Sequence, residues 1–188
     1  SYGVAVSSGF SVAARITMLL LYPVVALGQV NATYVGMNIG HKQPERAKKS
    51  FQLMRRVSIS IMIAGVLVVL PFRNYAISFI LGTNTSESFK IGSEFVFWLL
   101  MTQPFMAMFQ SFISLYNGAG MSRYTMILSL IRLWGLRIPL IFLYMLIFST
   151  GSYEGIYVAM MISNVLIIPI GYYFETKINF EIKVRLDA

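Results

Sequence analysis

The side chains able to do chemistry in this sequence are few, and the most regular of them are neutral. Tyr22, Ala26, Gln29, Thr33, Gly36 and Gly40 follow one another at steps of four, three, four, three and four residues, the spacing of one helical face. Gln103, Ala107, Gln110, Ser114 and Asn117 repeat it. An amide inside an apolar run must find a partner or water. Two such faces either line one polar cavity or hold neighbouring helices together at about 0.6–2 kcal/mol per hydrogen bond. The cavity reading assigns Tyr22, Gln29, Thr33, Gln103, Gln110 and Asn117 to substrate contact, with Pro23 and Pro104 as bending points beside them, since an interior proline removes a backbone hydrogen bond. Bond-breaking chemistry has no comparable support. With no cysteine and a single histidine, His41, neither a thiolate nucleophile nor a metal-ligand set is expected. HExxH, GxSxG and phosphate-cradling glycine motifs are absent as well, so the expectation is a chain that is not an enzyme.

Two arginines and the placement of the acids complete the inventory. Arg132 and Arg137 stand inside an otherwise apolar run, where each costs about 2.5–3.5 kcal/mol at a helix centre. Snorkelling toward cytoplasmic headgroups is the expected answer, with a partner carbonyl or bound anion as the alternative at the deeper Arg137. All seven acids, Glu45, Glu87, Glu94, Glu154, Glu175, Glu181 and Asp187, fall in loops, span ends or the tail. A carrier coupled to H+ or Na+ keeps a carboxylate on its transport path. The coupling site is therefore expected outside this chain, with Glu94 as the local candidate, and no cofactor is implied.

The elements that must position these residues are legible in the composition. The 188 residues are 57% hydrophobic and 12% charged, with a net charge of +8. That balance excludes a soluble domain, with its share of charge near 25%, and equally a disordered chain. The positive charges sit between apolar runs, so they predict membrane loops and lipid headgroups as partners, not nucleic acid. Residues 95–122 carry no charge over 28 positions and residues 155–174 none over 20; about 20 helical residues cross a bilayer core. The predicted fold class is all-α, a polytopic membrane bundle of about five transmembrane helices at roughly 16–40, 57–80, 95–118, 124–148 and 155–174. The small-residue stretch 1–14 is read as the end of a sixth helix, and 175–188 as a tail.

Loop charge gives the orientation. Lys42, Arg46, Lys48, Lys49, Arg55 and Arg56, then Arg123, Arg132 and Arg137, then Lys177, Lys183 and Arg185 fall on one side, against Arg15, Arg73 and Lys90 on the other. Positive residues favour the cytoplasm, which predicts a cytoplasmic C-terminus in the plasma (inner) membrane and an external start. A chain beginning at Ser1 without a signal sequence reads as part of something longer.

The run ITMLLLYPVVALGQVNATYVGMNIGHKQPERAKKS, from Ile16 to Ser50, resembles the multidrug and toxic compound extrusion (MATE) family. Pro23, Gly28, Gln29, Val35, Gly36, Asn38, Gly40, Pro44, Glu45, Arg46, Ala47 and Lys48 carry the likeness. NGAGMSR, from Asn117 to Arg123, is similar to that family's GAG-x-[ST]-R turn, and Arg132, Arg137 and Pro139 to its eleventh span. The resemblance implies twelve helices in two lobes with alternating access to a central cavity, this chain being helices eight to twelve. It departs from the pattern at Met37, which stands where Gln is usual, and at His41–Gln43 before the proline. The implied function is secondary active multidrug efflux by cation/drug antiport, this part supplying one cavity wall and needing the N-terminal lobe of the same chain. The implied partners are amphipathic or cationic small molecules. A flippase for lipid-linked saccharides, whose phosphates Arg132 and Arg137 suit, and a non-transporting scaffold subunit are the alternatives.

Overall fold

In hydrocarbon every backbone N–H and C=O must be satisfied within its own segment, and an α-helix does this without an edge. The computed structural model, which describes residues 4–82, 87–148 and 154–177, is accordingly helical over its described length apart from short turns. Five stretches are long and apolar enough to cross a membrane. They are α1 (Val4–Gly40), α2 (Pro44–Leu81), α3 (Glu87–Gly118), a fourth stretch built of α4 (Ser122–Leu130), a π-helical segment (Ile131–Arg137) and α5 (Ile138–Phe148), and finally α6 (Glu154–Lys177).

Two boundaries differ from expectation. Residues 4–14 are not the end of a separate sixth helix but the first turns of α1, which runs unbroken past Arg15. Arg15 is exposed there, so a charge that ends an apolar window need not end a helix. Likewise α2 begins at Pro44, well before residue 57. Its basic residues extend the helix beyond the apolar core, Pro44 occupying the first helical position, where a missing N–H costs nothing. At about 1.5 Å per residue, 37 and 38 residues exceed a hydrocarbon core of about 30 Å. Of the predicted tail, residues 175–177 continue α6 and the remainder lies outside the described residues.

Two three-residue turns set neighbours antiparallel. His41–Gln43 joins α1 to α2, with Lys42 at a φ of 56° and the Gln43 N–H donating to Asn38 O at 2.8 Å. Ala119–Met121 joins α3 to α4 through Gly120 at a φ of 71°, a left-handed conformation suited to glycine. The NGAGMSR motif is therefore centred on a turn, whereas the longer run from Ile16 to Ser50 crosses most of α1, the His41–Gln43 turn and the start of α2.

The third helix is the hub, packing against α1, α2, α4 and α6. One apolar cluster gathers Ile16, Val66, Phe95, Leu100 and Tyr157, another Val35, Phe51, Phe112, Tyr116 and Ile167. Between them Asn31 bridges three helices: its Nδ2 donates to Ser114 Oγ at 2.8 Å and its Oδ1 accepts from Ser50 Oγ at 2.8 Å. At the far side Tyr116 Oη donates to Gly171 O at 2.8 Å, tying α3 to α6. Arg55 meets Glu175 at 3.1 Å and faces the rings of Phe51 and Tyr172, linking α2 to α6.

Candidate functional site

The two polar faces do not look at each other. On α1, Gln29 and Thr33 are exposed and Tyr22 is 60% exposed, whereas Val24, Gly28, Asn31 and Val35 form the buried face. The face on α3 packs onto that buried side. Gln110 Cγ and Ser114 Cβ would each lie 3.7 Å from a Cβ placed on Gly28, and Ser114 accepts from Asn31. Asn117 is exposed at the turn, where its Oδ1 accepts from Thr125 Oγ1 at 2.9 Å. Of the six candidate residues, then, Tyr22, Gln29 and Thr33 share one open face of α1, Gln110 lies half-buried between helices, and Asn117 fastens α3 to α4. Pro23 and Pro104 lie inside continuous helices.

Gln103 stands apart from this helix–helix packing. It is only 6% exposed, and its Oε1 is buried with no hydrogen-bond partner among the described residues. It borders a cavity of about 280 Å³. Among the described residues α1 makes no close backbone approach to the π segment or to α6, and the cavity occupies that gap with α3 as its floor. Thr17 and Leu21 come from α1, Thr102 and Gln103 from α3, and Asn164 from α6. Arg132 and Arg137 come from the π segment.

Both arginines reach the cavity because of how that segment is wound. In an α-helix, residues five apart point about 140° away from each other. Winding with i→i+5 hydrogen bonds brings them onto one side, and such π turns recur at functional sites. Arg132 corrects the snorkelling expectation: it turns inward, its guanidinium carbon 4.2 Å from the Phe109 ring centroid and its Nη1 3.0 Å from Met106 Sδ. Arg137 directs Nη2 to Asn164 Oδ1 at 3.3 Å and Nε to Ser163 Oγ at 3.5 Å.

These contacts leave the charges poorly compensated. Charge-assisted N–H···O bonds run near 2.7–2.9 Å, shorter than either contact of Arg137, and a thioether is a weak acceptor. A cation–π contact returns about 0.5–2 kcal/mol, against the cost of holding a guanidinium within the membrane. Arg132 Nε is buried and unpartnered, and among the described residues no carboxylate pairs with either arginine. The arrangement carries two positive charges, amides and hydroxyls in an apolar surround. It can hold an anion or a polar headgroup. Sequence reasoning missed Asn31, although Val24, Gly28, Asn31 and Val35 repeat the same four-three-four spacing that marked the open face.

The family model MatE matches residues 1–143 of the chain. No curated protein matches it. Among solved structures, the transporter ClbM in complex with Rb+ superposes with a TM-score of 0.80 at 19% identity, over 90% of this chain and 39% of that one. A MATE protein in complex with MaL6 gives 0.78 at 17% identity, over 90% and 38%. The outward-facing form of a multidrug-resistance MATE transporter gives 0.73 at 19% identity, again over 90% and 38%. The chain thus spans well under half the length of the solved structures it resembles.

Proposed function

The chain belongs to the MatE family of membrane transporters, and on that premise we propose that it forms most of one lobe of a secondary active exporter of amphipathic compounds. The carrying observation is the open face of α1. Gln29 and Thr33 project where none of the described helices covers them, and an amide facing acyl chains is costly. A water-filled cleft shared with a second lobe relieves that cost. Tyr22 on the same face adds an aromatic wall with a polar tip.

In this reading the N-terminal lobe of the same chain supplies the opposite wall and the carboxylate that couples H+ or Na+ entry to export. Pro23 and Pro104 each withdraw one backbone hydrogen bond and serve as the points where α1 and α3 flex between inward- and outward-open states. The C-terminus lies on the cytoplasmic side of the plasma membrane, as the loop charges favour. The cargo is amphipathic and cationic, its apolar part held by methionine and phenylalanine side chains. Methionine is adaptable enough to serve many shapes.

The stretch is free of cysteine, which makes the test direct. Gln29→Cys and Thr33→Cys in the complete protein, embedded in vesicles, are expected to react with a membrane-impermeant thiol reagent and to be shielded by a transported cationic dye. Inert thiols at both positions would overturn the cleft and leave a scaffold. A second reading, export of a lipid-linked saccharide, is favoured by Arg132 and Arg137 bordering the cavity; dye movement driven by an ion gradient in proteoliposomes decides for the first.

A further inference from the structure

We propose that the cavity between α1, α3, the π segment and α6 is a phosphate-binding pocket, with Arg132 and Arg137 holding the anionic oxygens and Gln103 accepting from the phosphate hydroxyl. This pocket is distinct from the cleft face of α1. Leu21 borders it, while Tyr22, the next residue, is turned about 100° around the helix into the open stripe. The proposal does not depend on which cargo the cleft carries.

Three observations converge on this ligand. Two guanidiniums border one cavity, and no carboxylate among the described residues neutralises them. A guanidinium fork matches a tetrahedral oxyanion through paired N–H donors, and Arg132 Nε is a buried donor with no acceptor among the described residues. Gln103, 6% exposed, borders the same cavity and carries a buried acceptor, Oε1, that is equally unpartnered among the described residues. A singly protonated phosphate satisfies both kinds of group at once, since its charged oxygens accept and its hydroxyl donates. A cationic ligand would meet repulsion from the arginines, and an apolar one would leave Arg132 Nε and Gln103 Oε1 unpaired.

Size decides how much of a ligand enters. About 280 Å³ falls just under the 300–1,000 Å³ of sites that enclose a drug-sized molecule. The pocket holds a headgroup or a free ion, and Met106 and Met160 on its wall offer apolar contact to the first carbons of an attached chain. A lipid phosphate monoester and inorganic phosphate share this chemistry.

The test uses the complete transporter in neutral detergent, titrated calorimetrically with inorganic phosphate and with decyl phosphate. At least one of the two is expected to bind. Arg137→Gln is expected to weaken that binding at least tenfold, with Arg132→Gln as a second removal of charge. Gln103→Glu preserves volume and puts a carboxylate beside the two arginines, so it is expected to abolish phosphate binding while the unliganded protein keeps or raises its thermal midpoint. This variant keeps the test decisive should an arginine variant fail to fold. Equal affinity for both probes identifies the free ion as ligand, and binding of decyl phosphate alone identifies a headgroup. Failure of both probes to bind the unmodified protein, or binding indifferent to Gln103→Glu, would overturn the pocket while leaving the thiol-labelling result at Gln29 and Thr33 untouched.

Discussion

At the scale of single residues, amides in this protein divide by what surrounds them, not by their chemistry. Gln29 and Asn31 lie two positions apart on α1, yet Gln29 is exposed and Asn31 holds Ser50 and Ser114 on two other helices. Replacing Asn31 by alanine strands one buried hydroxyl, Ser114, and one half-buried, Ser50, and at about 0.6–2 kcal/mol per interhelical hydrogen bond the expected loss for the two is about 1–4 kcal/mol. Thermal unfolding in detergent reads it, with Gln29→Ala as the contrast: with its side chain exposed among the described residues, its midpoint is expected to stay within the range of surface substitutions, about ±0.5 kcal/mol. A midpoint for Asn31→Ala equal to that of Gln29→Ala would mean that the bridge contributes nothing. The amides were visible in the sequence as a class. Their separate fates were not, because spacing assigns residues to a face and says nothing of what that face meets.

At the scale of elements, close approach between helices carries the packing. A Cβ on Gly118 would stand 2.5 Å from Ala32 O and 2.8 Å from Val35 Cβ, so α1 and α3 touch there backbone to backbone, as small residues permit in membrane bundles. Gly118→Ala is expected to push the helices apart at a cost of about 1–3 kcal/mol, typical of overpacking, read as a lower thermal midpoint; an unchanged midpoint would show that the contact is loose. The five apolar stretches were legible from charge-free windows such as 95–122, since hydropathy reports the bilayer. Helix ends were less so: α1 and α2 run beyond the apolar windows at Arg15 and before residue 57, where turns and capping, not hydropathy, decide. The inward turn of Arg132 was hidden for a different reason. Periodicity arguments assume 3.6 residues per turn, and the segment Ile131–Arg137 is not wound that way.

At the scale of the whole molecule, alternating access asks which parts move together. Within this lobe α3 is fastened to α1 by Asn31 and the Gly118 contact, and to α6 by Tyr116. Arg55 and Glu175 add a link from α2 to α6. Such ties favour a lobe whose helices stay packed as it rocks against its counterpart, a motion common among transporters built from repeats, with α1 and α3 bending together at Pro23 and Pro104. A disulfide tests this. A Cβ on Gly28 would lie 3.7 Å from Ser114 Cβ, within the 3.5–4.5 Å that a disulfide spans, and the surrounding stretch holds no competing cysteine. The double variant Gly28→Cys and Ser114→Cys is expected to cross-link on oxidation, seen as a mass loss of two hydrogens that reductant reverses. If the lobe moves as a unit, the oxidised protein transports at a rate within about twofold of its reduced form, since the bond joins groups that never separate. Transport that stops on oxidation and returns on reduction would instead show that α1 slides on α3 in each cycle, the bends at Pro23 and Pro104 then moving the two helices apart.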